Sequence, residues 1–442
     1  MLIFIGIIIS TFGISIMQLI LATAMPSIVL EIGGEALYGW VFSSYMLSSL
    51  LTIPIFSKLA DLFGKKKFYL LGISLFAVGT LVGALAPNME LLIVARIIQG
   101  LGAGMMTPVS IALISELYPP EKRGGMIGAF SFVQLIANLI SPILGSLITK
   151  QLGWHWIFYI ALCLVLIALV FIALDRRGDQ KPLRKHLAWT QIDLLGGVLF
   201  GVFCVLVVGF SDSLSKMGQI DLTGLSLIIG AVTTGLVLAW NELRHQDPII
   251  KLEFFKVKVL RQSIVSSLIA GSIMYGLVTL LPMCNVIFRM NGYSADESQL
   301  LMIFMLGTTF GVLITSRIIN RLDSRFPKLV WGMSLLGAGG LYLAVSSGAF
   351  MVFNLLTGFL GFCLGAIMAT LLINSQNAVK DEDRTVLSGL VQLGRYLGAS
   401  IGVTILTGIL PELSQITSAS QFLGTFGLLI GIYSTGLINE LI

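Results

Sequence analysis

Charge is scarce in this chain. Only 11% of its residues are Asp, Glu, Lys or Arg, whereas a soluble domain carries about 25%, so an ordinary water-facing surface cannot be assembled from it. Acids are the rarer sign, 22 against 27 bases. Every one of them falls in a predicted loop or within a turn or two of a predicted helix end, which leaves no obvious buried proton carrier. Cys163, Cys204, Cys284 and Cys363 all lie inside apolar runs, where cysteine behaves as a small hydrophobe; they imply neither a disulfide framework nor a metal site. His155, His186 and His245 fall in loops or at helix ends. No nucleophile–base set, carboxylate pair or metal-ligand cluster emerges, so an enzyme reading has little to stand on and no cofactor is implied. Gly100-Leu101-Gly102-Ala103-Gly104 lacks the Gly-Lys-Ser/Thr ending of a phosphate loop and sits in an apolar run, which favours close helix packing.

Apolar residues take the place of charge, at 56% of the chain. Most apolar runs reach the roughly 20 residues that a helix needs to cross a bilayer, too long for barrel strands of about 10 alternating residues. The reading is an all-α polytopic membrane protein with fourteen spans, at about 2–24, 38–58, 68–86, 91–116, 126–148, 154–174, 192–211, 221–241, 262–283, 297–319, 328–347, 350–373, 386–409 and 420–439. The first run continues to Pro26 without a basic leader, as a retained helix rather than a signal peptide. If the loop 57–67 is cytoplasmic, nearly all Lys and Arg fall on that side; only Lys150, Lys216 and Arg289 lie outside, with Arg96 and Arg395 within helices. That asymmetry follows the positive-inside rule and places both termini in the cytoplasm. It also accounts for the net charge of +5 without a nucleic-acid partner. The six tryptophans, at 40, 154, 156, 189, 240 and 331, stand near predicted helix ends, as in an interfacial belt.

The expected organisation is a six-helix bundle at 1–174, basic linkers flanking two extra helices at 175–261, and a second six-helix bundle at 262–442. A weak repeat supports it: Ser316-Arg317-Ile318-Ile319-Asn320-Arg321 follows a second-helix-like run as Ser57–Lys65 does, with Asn320 at the place of Asp61. Related halves with a site between them near the midplane are the plan of secondary transporters.

Three helical faces carry the candidate residues. Arg96, Gln99, Ala103, Thr107 and Ser110 recur at spacings of three and four on the fourth span. A guanidinium at membrane depth faces a bundle interior or a watery cavity; here it either takes part in the transport pathway or ties helices together through backbone carbonyls. Gln134, Asn138, Ser141 and Gly145 share a face of the fifth span, with Pro142 marking an expected bend. Ser388, Gln392, Arg395 and Ala399 share a face of the thirteenth, where Arg395 serves either packing or substrate contact.

The motifs resemble those of the major facilitator superfamily. Leu59, Ala60, Asp61, Gly64, Lys65 and Lys66 match its loop signature Gly-x-Leu-Ala-Asp-x-x-Gly-Arg/Lys-Lys, with Ser57 in place of the first glycine. Arg96, Gln99, Gly100 and Gly102 match its fourth-helix signature, and Pro119-Pro120-Glu121-Lys122-Arg123-Gly124 the loop that follows. Trp154–Tyr159 and Gln392–Gly398 are similar to the fourteen-helix branch of drug/proton antiporters. That branch usually carries an aspartate on the first helix where this chain has Met17, and its fifth helix usually ends in Gly-Pro where this chain reads Ser141-Pro142.

The resemblance implies proton-driven efflux of lipophilic or amphipathic drugs across a bacterial plasma membrane by a monomer, with sodium as the other candidate ion. It implies a cytoplasmic charge lock of Asp61, Lys65, Glu116 and Arg123 around Gly64, holding the two halves together when the cavity faces outward. Met17, Gln18, Arg96, Gln99, Gln134, Asn138 and Arg395 become pathway candidates. Two other readings stay open: export of an anionic or lipid-like metabolite, for which Arg96 and Arg395 speak, and a non-transporting membrane sensor with the same fold.

Overall fold

The computed structural model describes residues 2–175, 193–217, 221–245, 248, 252–290, 298–318, 325–379, 384–409 and 419–441. Fourteen α-helices make up nearly all of them, and no strand forms among the described residues. They are α1 (Leu2–Ile32), α2 (Tyr38–Phe63), α3 (Lys65–Ala84), α4 (Met89–Leu117), α5 (Pro120–Leu152), α6 (His155–Leu174), α7 (Leu194–Met217), α8 (Leu222–Arg244), α9 (Lys258–Met290), α10 (Gln299–Ile318), α11 (Phe326–Ser347), α12 (Phe350–Asn377), α13 (Arg384–Gly408) and α14 (Leu423–Leu441). Thirteen are long and apolar enough to cross a membrane. In α14, four glycines and the closing Asn439-Glu440 dilute the apolar stretch.

Helix ends depart from expectation where prolines and glycines sit. α1 runs eight residues past the predicted end at 24, through Pro26, because Ile28 and Val29 beyond the proline are buried and that packing outweighs one missing hydrogen bond. α9 continues through Pro282 to Met290, where the Phe288 ring lies 4.9 Å from that of Phe350 and 5.1 Å from that of Phe353. The loop expected at 116–125 shrinks to Tyr118-Pro119, since Pro120 starts α5 at the first helical position that proline favours. The loop expected at 57–67 shrinks further, to Gly64 alone between α2 and α3. Its φ of 107° and ψ of 121° suit only glycine. Asn88 caps α4, its Oδ1 accepting the Leu91 N–H at 2.9 Å.

The chain forms two compact units. One comprises Met1–Leu206 with Ile229–Ile249, the other Val207–Ile228 with Ile250–Ile442, so α7 and α8 are each divided between them. Within the first unit α1 packs on α5 and α6, α4 on α2 and α3, and α3 on α6. Within the second, α9 packs on α13 and α14, α12 on α10 and α11, and α11 on α14. The pairing pattern is the same with every label advanced by eight.

The close contacts repeat as well. A side chain at Gly100 would strike the Tyr45 carbonyl, and one at Gly104 the Ser49 carbonyl. In the second unit Gly361 stands over the Phe304 carbonyl and Gly365 over that of Thr308. Tyr45 and Phe304 stand as far apart in sequence as Ser57 and Ser316, so the faint sequence repeat and the backbone repeat share one register. Helices meeting backbone to backbone are the membrane solution to packing without a hydrophobic driving force.

Two tryptophans depart from an interfacial belt. Trp331 is fully buried and packs edge-on against Tyr433, and Trp154 is 1% exposed; Trp156 and Trp240 are exposed, as a belt requires. Trp189 lies outside the described residues. Of the cysteines, Cys204, Cys284 and Cys363 are buried and Cys163, midway along α6, is exposed.

Candidate functional site

At the end of the first unit that carries Gly64, two adjacent lysines reach in different directions. Lys65 Nζ donates to Glu116 Oε2 at 3.0 Å, joining α3 to the end of α4. Lys66, 4% exposed, donates to the backbone carbonyl of Asp175 at 2.6 Å, just beyond α6. The Asp175 carboxylate accepts the Ile3 N–H at 3.0 Å, which ties down the start of α1. Burial, and then the Asp175 charge, push the Tyr118 phenol above its usual range. Both ends of the Lys65–Glu116 pair belong to one unit, so this bond closes that unit on itself rather than joining two halves. The side chains of Asp61 and Arg123 lie outside the described residues, as does Asn320.

Deeper in, the polar face of α4 is a bonded track. Arg96 and Gln99 are both fully buried. Arg96 Nε donates to the Val41 carbonyl of α2 at 3.1 Å, and its Nη1 to Gln99 Oε1 at 2.9 Å. Gln99 Nε2 donates in turn to Thr80 Oγ1 on α3 at 2.9 Å. The guanidinium also stacks 4.1 Å from the Tyr45 ring centroid, a cation–π contact strengthened by the absence of water. Arg96 thus ties α4 to α2 through a backbone carbonyl, and its Nη2 has no partner among the described residues. About three turns beyond Gln99, Ser110 of α4 and Ser10 of α1 meet at the Tyr69 hydroxyl of α3, at 3.4 and 2.7 Å.

The α1 and α5 candidates divide. Met17 is fully buried, while Gln18 is half-buried and its Nε2 donates to Met46 Sδ on α2 at 3.9 Å. On α5 Gln134 and Asn138 are half-buried, and Asn138 Oδ1 has no donor among the described residues. Ser141 donates to the Ala137 carbonyl, and the helix continues unbroken through Pro142, whose missing N–H releases the carbonyl of Asn138. Gly145 owes its identity to α1: a side chain there would strike Thr23 Oγ1. In the second unit Arg395 is half-buried on α13; its Nη2 donates to Gln392 Oε1, while Nε is unpartnered among the described residues. Ser388's side chain lies outside the described residues.

Sequence reasoning missed several bonded groups. Glu31, at the end of α1, accepts the Trp154 indole N–H at 2.9 Å, and His155 stacks on that indole 3.7 Å away. Four acids at helix ends, Asp175, Asp193, Glu242 and Glu440, are under 9% exposed, because neighbouring helices close over them. Spacing along one helix carries no sign of that closure. Among the described residues no cluster of His, Cys, Asp or Glu could hold a metal ion.

Comparison with known proteins bears on what this arrangement does. A family model described as Major Facilitator Superfamily matches residues 3–403. The chain is 27% identical over 396 residues to multidrug resistance protein 3 of Bacillus subtilis, covering 87% of this chain and 75% of that protein. It is 30% identical over 416 residues to the multidrug transporter protein MdtP of the same organism, covering 92% and 74%, and 28% identical over 408 residues to multidrug resistance protein Stp of Mycobacterium tuberculosis, covering 90% and 74%. A D-xylose–proton symporter superposes with a TM-score of 0.70 at 13% identity over all of this chain and 96% of its own. A peptide transporter in complex with sulfate does so at 0.69 and 16%, covering 100% and 92%.

Proposed function

Because the chain belongs to the major facilitator superfamily, we propose that it exports lipophilic or amphipathic drugs by alternating access, driven by protons and acting as a monomer. It is a multi-pass membrane protein and a secondary transporter, not an enzyme. The observation that carries the drug reading is similarity along about nine-tenths of the chain to proteins named as multidrug transporters.

The internal mechanics support rocking rather than flexing. Carbonyl-to-glycine contacts along α2/α4 and α10/α12 stiffen each bundle, so strain imposed at one end is passed on as movement of a body. Arg96 adds a fixed charge within the first unit. Its unpartnered Nη2 and that of Arg395 Nε favour, as a second reading, an amphiphile bearing an anionic or carbonyl group.

Inverted membrane vesicles carrying the full chain test the choice. Ethidium, a lipophilic cation, is expected to accumulate when a proton gradient is imposed and to leak out when a protonophore collapses it. Movement of an anionic amphiphile such as a bile salt, with none of ethidium, overturns the cationic-drug reading in favour of the second.

A further inference from the structure

Each unit has a buried acid at the corresponding end of its last repeat helix. In the first, Asp175 follows α6 and faces the start of α1, with Lys66 in the first turn of α3. In the second, Glu440 closes α14, the counterpart of α6, and faces Ser266 of α9, the counterpart of α1; Lys328 lies in the first turn of α11, the counterpart of α3.

The partners differ in the respect that decides the chemistry. The Asp175 carboxylate accepts a backbone N–H, while Lys66 Nζ donates to the Asp175 backbone carbonyl. A backbone N–H is a donor only, so that bond cannot reverse its direction. Glu440, 8% exposed, accepts instead from the Ser266 hydroxyl at 2.9 Å. That hydroxyl accepts the Asn439 side-chain amide at 2.9 Å, and Asn439 pairs with Gln262 in both directions at 3.1 Å. A hydroxyl turns from donor to acceptor without any heavy atom moving, so this pocket fits a carboxylate or a carboxylic acid equally well. Asp193 is again different: it accepts two bonds from the Asn241 amide and one from the Gly196 N–H, donors that cannot reverse.

Charge around Glu440 is sparse. From α11, Lys328 acts on it only through space; from α9 come the neutral Gln262 and Ser266. The 3₁₀ turn Ala419–Phe422 carries no charged residue, and Arg395, the one charged side chain described on α13, is bonded to Gln392. On α14 itself Tyr433 is turned to Trp331, 6.3 Å away. Burial among neutral partners disfavours a carboxylate's charge.

We propose that Glu440 takes up and releases the coupling proton, with Ser266 and Asn439 as its switching partners. On uptake the carboxylate gains one proton and becomes a carboxylic acid whose O–H donates to Ser266; on release the bond reverses. This assignment rests on the proton-driven reading above and supplies the acid that Met17 does not.

The test uses the purified full chain in liposomes containing a pH-sensitive dye, with an ethidium gradient as the driving force. In Glu440→Gln the ethidium-driven proton signal is expected to fall about ten-fold relative to ethidium–ethidium exchange at equal pH. Ser266→Ala removes a donor that favours the anion, so the pH midpoint of transport is expected to move upward. A wild-type proton signal in Glu440→Gln overturns the assignment. Should that variant fail to fold, an unmoved midpoint in Ser266→Ala does so instead. If the native protein moves ethidium with no proton signal at all, the proton-driven reading itself falls and takes the assignment with it.

Discussion

Lys65 Nζ sits 3.0 Å from Glu116 Oε2 with both side chains less than a fifth exposed, and the bond runs from α3 to α4 within one unit. The alternating access proposed above therefore need not break it. A double-mutant cycle with Lys65→Met and Glu116→Gln, read by thermal unfolding in detergent, is expected to give a coupling of about 0.5–1 kcal/mol. Exchanging the two charges should recover most of that. Zero coupling together with an unchanged unfolding midpoint would remove the pair's structural role.

Gly64 separates two long helices at a backbone geometry open to glycine, and nothing lies within 4 Å of where a side chain would point. Its replacement therefore isolates conformational strain from crowding. Gly64→Ala is expected to cost about 1–3 kcal/mol in unfolding experiments, with Gly64→Asn no better, because φ of 107° and ψ of 121° lie beyond the left-handed helical region that asparagine tolerates. An alanine variant as stable as the parent contradicts this.

Gly100 and Gly361 make the opposite case, since a side chain would be crowded by the neighbouring helix, by the Ser48 hydroxyl and the Tyr45 carbonyl at the first and by the Phe304 carbonyl at the second. Alanine at either should lower the yield of monodisperse protein sharply, at a cost of about 2 kcal/mol or more. Alanine at Gly339, where the space is open, should be neutral or raise stability by up to about 1 kcal/mol. Size-exclusion profiles and unfolding midpoints of the three variants decide the matter; equal behaviour in all three excludes the backbone-contact account.

Arg96 bonds through the fork of its guanidinium, one nitrogen to Val41 and another to Gln99. Lysine keeps the charge but loses that geometry. Arg96→Lys and Gln99→Ala are both expected to lower ethidium efflux at least about ten-fold, because each strands a buried polar group worth about 1–3 kcal/mol. Efflux by Arg96→Lys at the parental rate shows that charge alone suffices.

The legible part of the molecule was what a single helix can display. Long apolar runs announced the helices, and the spacing of Arg96, Gln99 and Ser110 announced a buried polar face, because both are properties of one segment. What depended on a second segment stayed hidden. The spans expected to end at 24 and 283 stopped short, since nothing in their own runs reveals the packing of Ile28 or Phe288. Glu440 and Asp175 were indistinguishable from the other acids of loops and helix ends, because their burial comes from α9 and α1 folding over them. The loop signature marked Gly64 correctly as a special position but made its loop several residues too long.

The disposition of the cysteines has a practical side. Three thiols are enclosed, and Cys163 is exposed midway along a helix long and apolar enough to cross a membrane. Maleimides react with thiolates in water, and a thiol at membrane depth is out of reach of a water-borne reagent. The native chain is thus ready for site-directed spin or fluorophore labelling: a single cysteine introduced at a water-facing position will report alone, with no background to engineer away.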